Sequence, residues 1–110
     1  MLKHDFHLDV LINDLSLVEE KPNDIEWIMK EGIWMQQGST DRLKLCDIIC
    51  VYYGQRATCL ELKSSRKKRS NGIEQLYHGE LFVRKNLGIS KITKKMVYYS
   101  NKGYNWENIL

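Results

Sequence analysis

The chain has 110 residues, 43% of them hydrophobic, which suits one compact domain spanning residues 1–110 and leaves no room for a second core. A formal net charge of +3 and a pI near 8.7 permit contact with nucleic acid without requiring it. No basic leader precedes a long apolar segment, and no run approaches the roughly 18 apolar residues that cross a bilayer, so a soluble, cytoplasmic protein with no membrane contact is expected.

In chain order, the stretch from Asp5 to Val18 fits both alternation and a helical stripe, and its length and acidic spacing favour a helix. His4 and His7 stand at no metal-finger spacing and are expected on the surface of this first element. Pro22 closes it. Asn23 with Glu26 resembles a capping box, predicting a second, short helix that Gly32 ends, with Ile25, Ile28 and Met29 on its buried side. A first strand is expected at Ile33–Gln37, followed by a polar loop at Gly38–Arg42.

Two apolar runs follow, Asp47 to Tyr53 and Ala57 to Lys63, joined by Gly54-Gln55-Arg56. This is a hairpin signal. Residues i and i+2 share a strand face, so Ala57, Cys59, Glu61 and Lys63 are predicted on one face and Thr58, Leu60 and Leu62 on the core-facing other. A two-residue turn would put Asp47 on the wrong face. A three-residue turn pairs Tyr53 with Ala57, Ile49 with Glu61 and Asp47 with Lys63, and brings Asp47, Glu61 and Lys63 to one face. The expectation is therefore an odd-length turn with Gly54 or a neighbour at positive φ.

Glu19-Glu20-Lys21 repeats the Glu-x-Lys spacing, but it runs into Pro22 and lacks an upstream aspartate at hairpin distance. The three cysteines are an odd count with no Cys-x-x-Cys pair, which predicts buried reduced thiols. Cys46 and Cys50 are expected on one strand face and Cys59 on the opposite one.

Beyond Lys63, five of the seven residues from Lys63 to Arg69 are basic, predicting a flexible basic loop. Asn71 and Glu74 form another capping pair, and a helix is expected from about Gly72 to Asn86, stopped by Gly88. Gly79 inside it costs about 1 kcal/mol against alanine, which points to close approach to the sheet. Lys91–Tyr99 reads as a fourth strand, with Lys94 and Lys95 pointing in opposite directions. The tail from Tyr104 to Leu110 carries Trp106, Ile109 and Leu110.

The order is α/β, with a small mixed β-sheet flanked by helices in αβββαβ order. Asp47, the 14-residue step to Glu61, the Glu61-Leu62-Lys63 triplet and the helix that follows together resemble the PD-(D/E)XK nuclease superfamily, over roughly residues 23–99. Small Holliday-junction-resolvase-like and virus-type replication-repair nucleases are the nearest likenesses. Cys46 stands where the family pattern has proline.

The resemblance implies a restriction-endonuclease-like core and a Mg²⁺-dependent nuclease that hydrolyses DNA phosphodiester bonds as an endonuclease, with Mn²⁺ able to substitute. It implies Asp47, Glu61 and the Leu62 carbonyl as metal ligands, Lys63 as the catalytic cation and Gln75 as a positioning group on the following helix. Arg66, Lys67, Lys68 and Arg69 would then meet flanking phosphates in a salt-sensitive grip. The small size favours a homodimer, or a partner protein that adds substrate grip. Relatives often carry an upstream glutamate, for which Glu20 and Glu26 are both candidates. Two other readings are an inactive nuclease-fold module that binds nucleic acid or a partner protein, and a structural domain whose Glu61–Lys63 pair is an ordinary ion pair worth at most about 1 kcal/mol.

Overall fold

The computed structural model describes residues 10–110. Residues 10–12 are helical, and turns carry the chain to a 3₁₀ turn at Pro22–Asp24. His4, His7 and residues 5–9 of the expected N-terminal helix lie outside the described residues; the rest of that expectation is corrected, because the helix ends at residue 12 and residues 13–18 form turns. The strands are β1 (Ile25–Lys30), β2 (Ile33–Met35), β3 (Arg42–Lys44), β4 (Ile48–Tyr52), β5 (Arg56–Lys63), β6 (Lys91–Ser100) and β7 (Gly103–Ile109). Between β5 and β6 runs helix α1 (Arg69–Leu87), preceded by a 3₁₀ turn at Arg66–Lys68.

Five strands form one mixed sheet in the order β1-β4-β5-β6-β7, and β2 with β3 forms a separate two-stranded sheet. All neighbours in the large sheet are antiparallel except β5 and β6, which run parallel through the α1 crossover. A parallel pair cannot be closed by a tight turn, so a long connection is required there.

Both faces of the central strands are covered. On one face Leu76 and Val83 of α1 pack with Cys46, Ile49, Val51, Ala57, Cys59 and Met96. On the other, Leu11, Ile12, Leu17 and Val18 cover Ile48, Cys50, Tyr52, Leu60 and Leu62. Strand β4 is buried at every position and β5 at all but its two ends. The expectation that only the Thr58–Leu60–Leu62 face meets the core is therefore corrected: the Glu61 face lies beneath α1. Continuous apolar runs such as Ile48–Tyr52 are what two-sided burial requires.

The expected helix after Asn23 is strand β1. Only Pro22–Asp24 coils, and Ile25 onward pairs with β4, with a register shift between Ile25 and Trp27. Ladder bonds to β4 and the β-branched and aromatic content of Ile25-Glu26-Trp27-Ile28 outweigh a capping pattern. The strand expected at Ile33–Gln37 is shorter and belongs to the β2–β3 hairpin, not to the main sheet; Arg42 leaves the expected loop to start β3.

The expected flexible basic loop is a 3₁₀ turn running into α1, capped by the Ser65 side chain, which accepts from the Lys67 N–H. Helix α1 accordingly begins at Arg69, ahead of the Asn71–Glu74 pair, and that pair supplies no cap. Gly88, at φ 66°, ends it as expected. The tail forms β7, the outer strand beside β6. No helix among the described residues is long and apolar enough to cross a membrane.

Candidate active site

The hairpin's turn is three residues long, as expected, but is displaced by one. Tyr52 pairs with Arg56, Val51 with Ala57 and Ile49 with Cys59, leaving Tyr53-Gly54-Gln55 as the loop. Gly54 lies at φ 93° and Gln55 at φ 67°. The odd length preserves the parity of the expected register, so Asp47 still shares a side with Glu61, while the individual partners move: Ile49 does not face Glu61. Cys46 and Cys59 pack in the cluster under α1, and Cys50 packs on the opposite face, which corrects the expected grouping of the three thiols. A bend at Asp47 breaks the strand periodicity between Cys46 and Cys50.

The β4–β5 ladder ends at Ile48 and Leu60. Beyond that point two carboxylates take over its bonds. The Asp47 N–H donates to Glu61 Oε1 at 2.9 Å, and the Leu62 N–H donates to Asp47 Oδ2 at 2.8 Å. The Asp47 carbonyl accepts from the Glu31 N–H at 2.9 Å, fixing the same residue from the β1 side. Both carboxylates are almost wholly buried, each 1% exposed. Leu62 contributes its main chain here, while its side chain packs into the core on the opposite face.

Lys63 completes the cluster. Its Nζ lies 3.1 Å from Glu61 Oε2 and donates to Gln75 Oε1, also at 3.1 Å. Gln75 sits one α1 turn after Asn71, and parallel pairing of Lys63 with Tyr98 holds the end of β5 beneath that turn. Asp47, Glu61, Lys63 and Gln75 are thus joined in one chain of contacts. Burial raises the Glu61 carboxyl most, the neighbouring Asp47 charge raises it further, and Lys63 only partly offsets them, which leaves it at about 7.

Neither upstream glutamate reaches this cluster. Glu20 pairs with Arg56 at 3.0 Å, and Glu26 is on the exposed edge strand β1. In the basic segment, Arg66 Nη1 lies 3.4 Å and Arg69 Nη2 2.8 Å from Glu107, and Arg66 stacks over Tyr98 at 4.4 Å. Lys94 binds Glu80 on α1 at 2.9 Å, whereas Lys95 donates to the Ser16 and Leu17 carbonyls on the opposite face. Their opposite directions are as expected.

Among the described residues no group of three or more His, Cys, Asp or Glu side chains converges. Two adjacent carboxylates are nonetheless the donor type and number that suit Mg²⁺ or Mn²⁺, because such ions keep several waters and take only one or two protein carboxylates. The donor set of Asp47 and Glu61 fits such an ion in kind.

A groove of about 410 Å³ opens beside Lys63 and Gln75, walled by α1 and by β3. Arg42 and Lys44 line it from β3 and His78 from α1, and none of the three is expected at a site from the sequence. The one available signal was the alternation of Arg42-Leu43-Lys44, too short to distinguish from a loop. Compared with known proteins, the chain matches no family model and no curated protein.

Proposed function

We propose that this protein is a Mg²⁺-dependent nuclease with a restriction-endonuclease-like core, acting as an endonuclease on DNA phosphodiester bonds and accepting Mn²⁺ in place of Mg²⁺. The observation that carries the reading is the contact chain Asp47–Glu61–Lys63–Gln75 at the point where β4 and β5 separate. The β–β–β–α–β–β succession of the large sheet, whose first five elements follow the family order, supports it, with the β2–β3 hairpin inserted after its first strand. A homodimer and an intracellular location belong to the same reading.

Asp47 and Glu61 would hold the metal, whose bound form supplies Lewis acidity at a phosphoryl oxygen. Leu62 orients Asp47 through its N–H and offers its own carbonyl as a further oxygen donor. Lys63 places a cation next to Glu61, where it can balance charge that builds on the phosphorus centre. Gln75 holds the Lys63 ammonium and leaves it fewer orientations.

One observation favours the inactive-module reading instead: each carboxylate already accepts a backbone N–H and so has a structural task. Cleavage assays separate the two. Purified protein is incubated with plasmid, single-stranded, flapped and four-way-junction DNA in Mg²⁺ or Mn²⁺, beside Lys63→Ala and Glu61→Gln. The nuclease reading predicts cleavage of at least one form, reduced about 100-fold or more by Lys63→Ala, the scale expected for removing a charge-stabilising donor. Cleavage that survives both substitutions, or DNA binding without any cleavage, contradicts it.

A further inference from the structure

We infer that the groove between β3 and α1 is the binding track for the sugar-phosphate backbone of the substrate, gripped by Arg42 and Lys44. The inference rests on the nuclease reading for the identity of its ligand, but not for its test. Asn71, Glu74, Gln75 and His78 line one wall at spacings of three and four, which is a single face of α1. The opposite wall is β3, where Arg42 and Lys44 are both exposed. Lys63 also lines the groove, so the track runs directly up to the carboxylate cluster.

Charge availability separates this surface from Arg66 and Arg69, and its position beside Lys63 separates it from Lys67 and Lys68, which like Arg42 and Lys44 form no ion pair among the described residues. Glu107 answers both arginines, and Tyr98 covers one of them. No ion pair engages Arg42 or Lys44 among the described residues. A cation already paired within the protein must give up that partner before it neutralises a phosphate and releases the nucleic acid's condensed counterions, so the β3 pair is a stronger phosphate ligand than Arg66 and Arg69. His78 fixes the width of the track: its Nδ1 lies 3.1 Å from the Lys44 carbonyl and ties α1 to β3, so Nδ1 is the protonated nitrogen. Glu74 is the opposing charge in the wall, 4.0 Å from His78 Nε2. It repels a phosphate chain and restrains affinity.

The test is fluorescence anisotropy with labelled single-stranded and duplex oligonucleotides in EDTA, where no metal-dependent cleavage interferes. The Arg42→Ala/Lys44→Ala pair is expected to weaken binding about 10-fold and to flatten the slope of log K against log salt by about two, one unit per lost phosphate contact. Glu74→Gln is expected to tighten binding about 2-fold. A length-preserving Arg42→Gln/Lys44→Gln pair gives the same readout if the alanine pair does not fold. Wild-type affinity and slope in the β3 variants, or a loss confined to Arg66→Ala/Lys67→Ala/Lys68→Ala, overturns the inference. The cleavage assay is read independently. Weakened binding in a protein that never cleaves leaves the track standing and removes the nuclease reading; unchanged binding in a protein that does cleave has the opposite result.

Discussion

Glu61 concentrates the chemistry of the site in one side chain. It is buried, it accepts the Asp47 N–H, it faces Lys63, and its carboxyl stands at about 7 against an ordinary 4.5. A raised carboxyl means that the folded state holds a proton the unfolded state has already released between these two values. The contribution of Glu61 to the stability of the metal-free protein therefore falls as pH rises from about 4.5 to 7 and is level above that. The span corresponds to a loss of up to about 3 kcal/mol. Urea unfolding in EDTA should show this decline in the wild type and its absence in Glu61→Gln. Asp14, held low first by its bond from the Tyr104 hydroxyl, and Glu107, held low first by Arg69, act with the opposite sign only below this window. At this scale the sequence is readable: Asp47, Glu61 and Lys63 stand out by residue type and spacing, Gln75 enters only as what the resemblance implies, and the structure joins all four. Arg42, Lys44 and His78 do not stand out, because a groove forms only when a strand and a helix distant in sequence meet.

At the scale of elements, the β4–β5 hairpin and α1 were legible and the first third of the chain was not. The hairpin's odd turn follows from Gly54 and the position of the carboxylates, yet its one-residue displacement was hidden because Tyr53 and Arg56 each suit strand or loop. The segment Ile25–Lys30 carries a helical cap pattern but is recruited by the open side of β4, and no local rule contains that partner. Gly79 was expected to mark close approach, and α1 does press on the sheet there: a β-carbon at that position would lie 2.6 Å from the Cys46 sulfur, with the Cys59 sulfur at 3.5 Å behind it. Alanine gains about 1 kcal/mol of helix propensity and forces an overpacking penalty of about 1–3 kcal/mol. Gly79→Ala should thus destabilise by up to about 2 kcal/mol, and Cys46→Ala should relieve much of that loss in the double variant. Equal urea midpoints for Gly79→Ala and wild type, or additive effects in the double-mutant cycle, would show that the helix does not rest on Cys46.

Over the whole molecule, two-sided burial of the sheet is what makes the carboxylate pair informative. An exposed Glu-Lys pair on an open face would need no explanation, but here β5 lies between α1 and the residue 11–18 segment, and its only charged residue short of the ends, Glu61, lies at the splay from β4. Burying two acids side by side costs several kcal/mol unless cations or hydrogen bonds compensate. Lys63 and two backbone N–H groups supply part of that compensation, and the raised Glu61 carboxyl keeps a proton toward neutral pH; in the proposed function a hard divalent ion would take that proton's place. The groove then extends the site to the outside, so core, cluster and basic track form one continuous arrangement. Mn²⁺ binding tests the central claim most directly because it does not depend on finding the right DNA. Titration of the purified protein followed by electron paramagnetic resonance should show one Mn²⁺ held per chain, with affinity reduced about 10-fold or more in Glu61→Gln. No bound Mn²⁺ in the wild type, or undiminished binding in Glu61→Gln, would contradict the assignment of this cluster as a metal-dependent site.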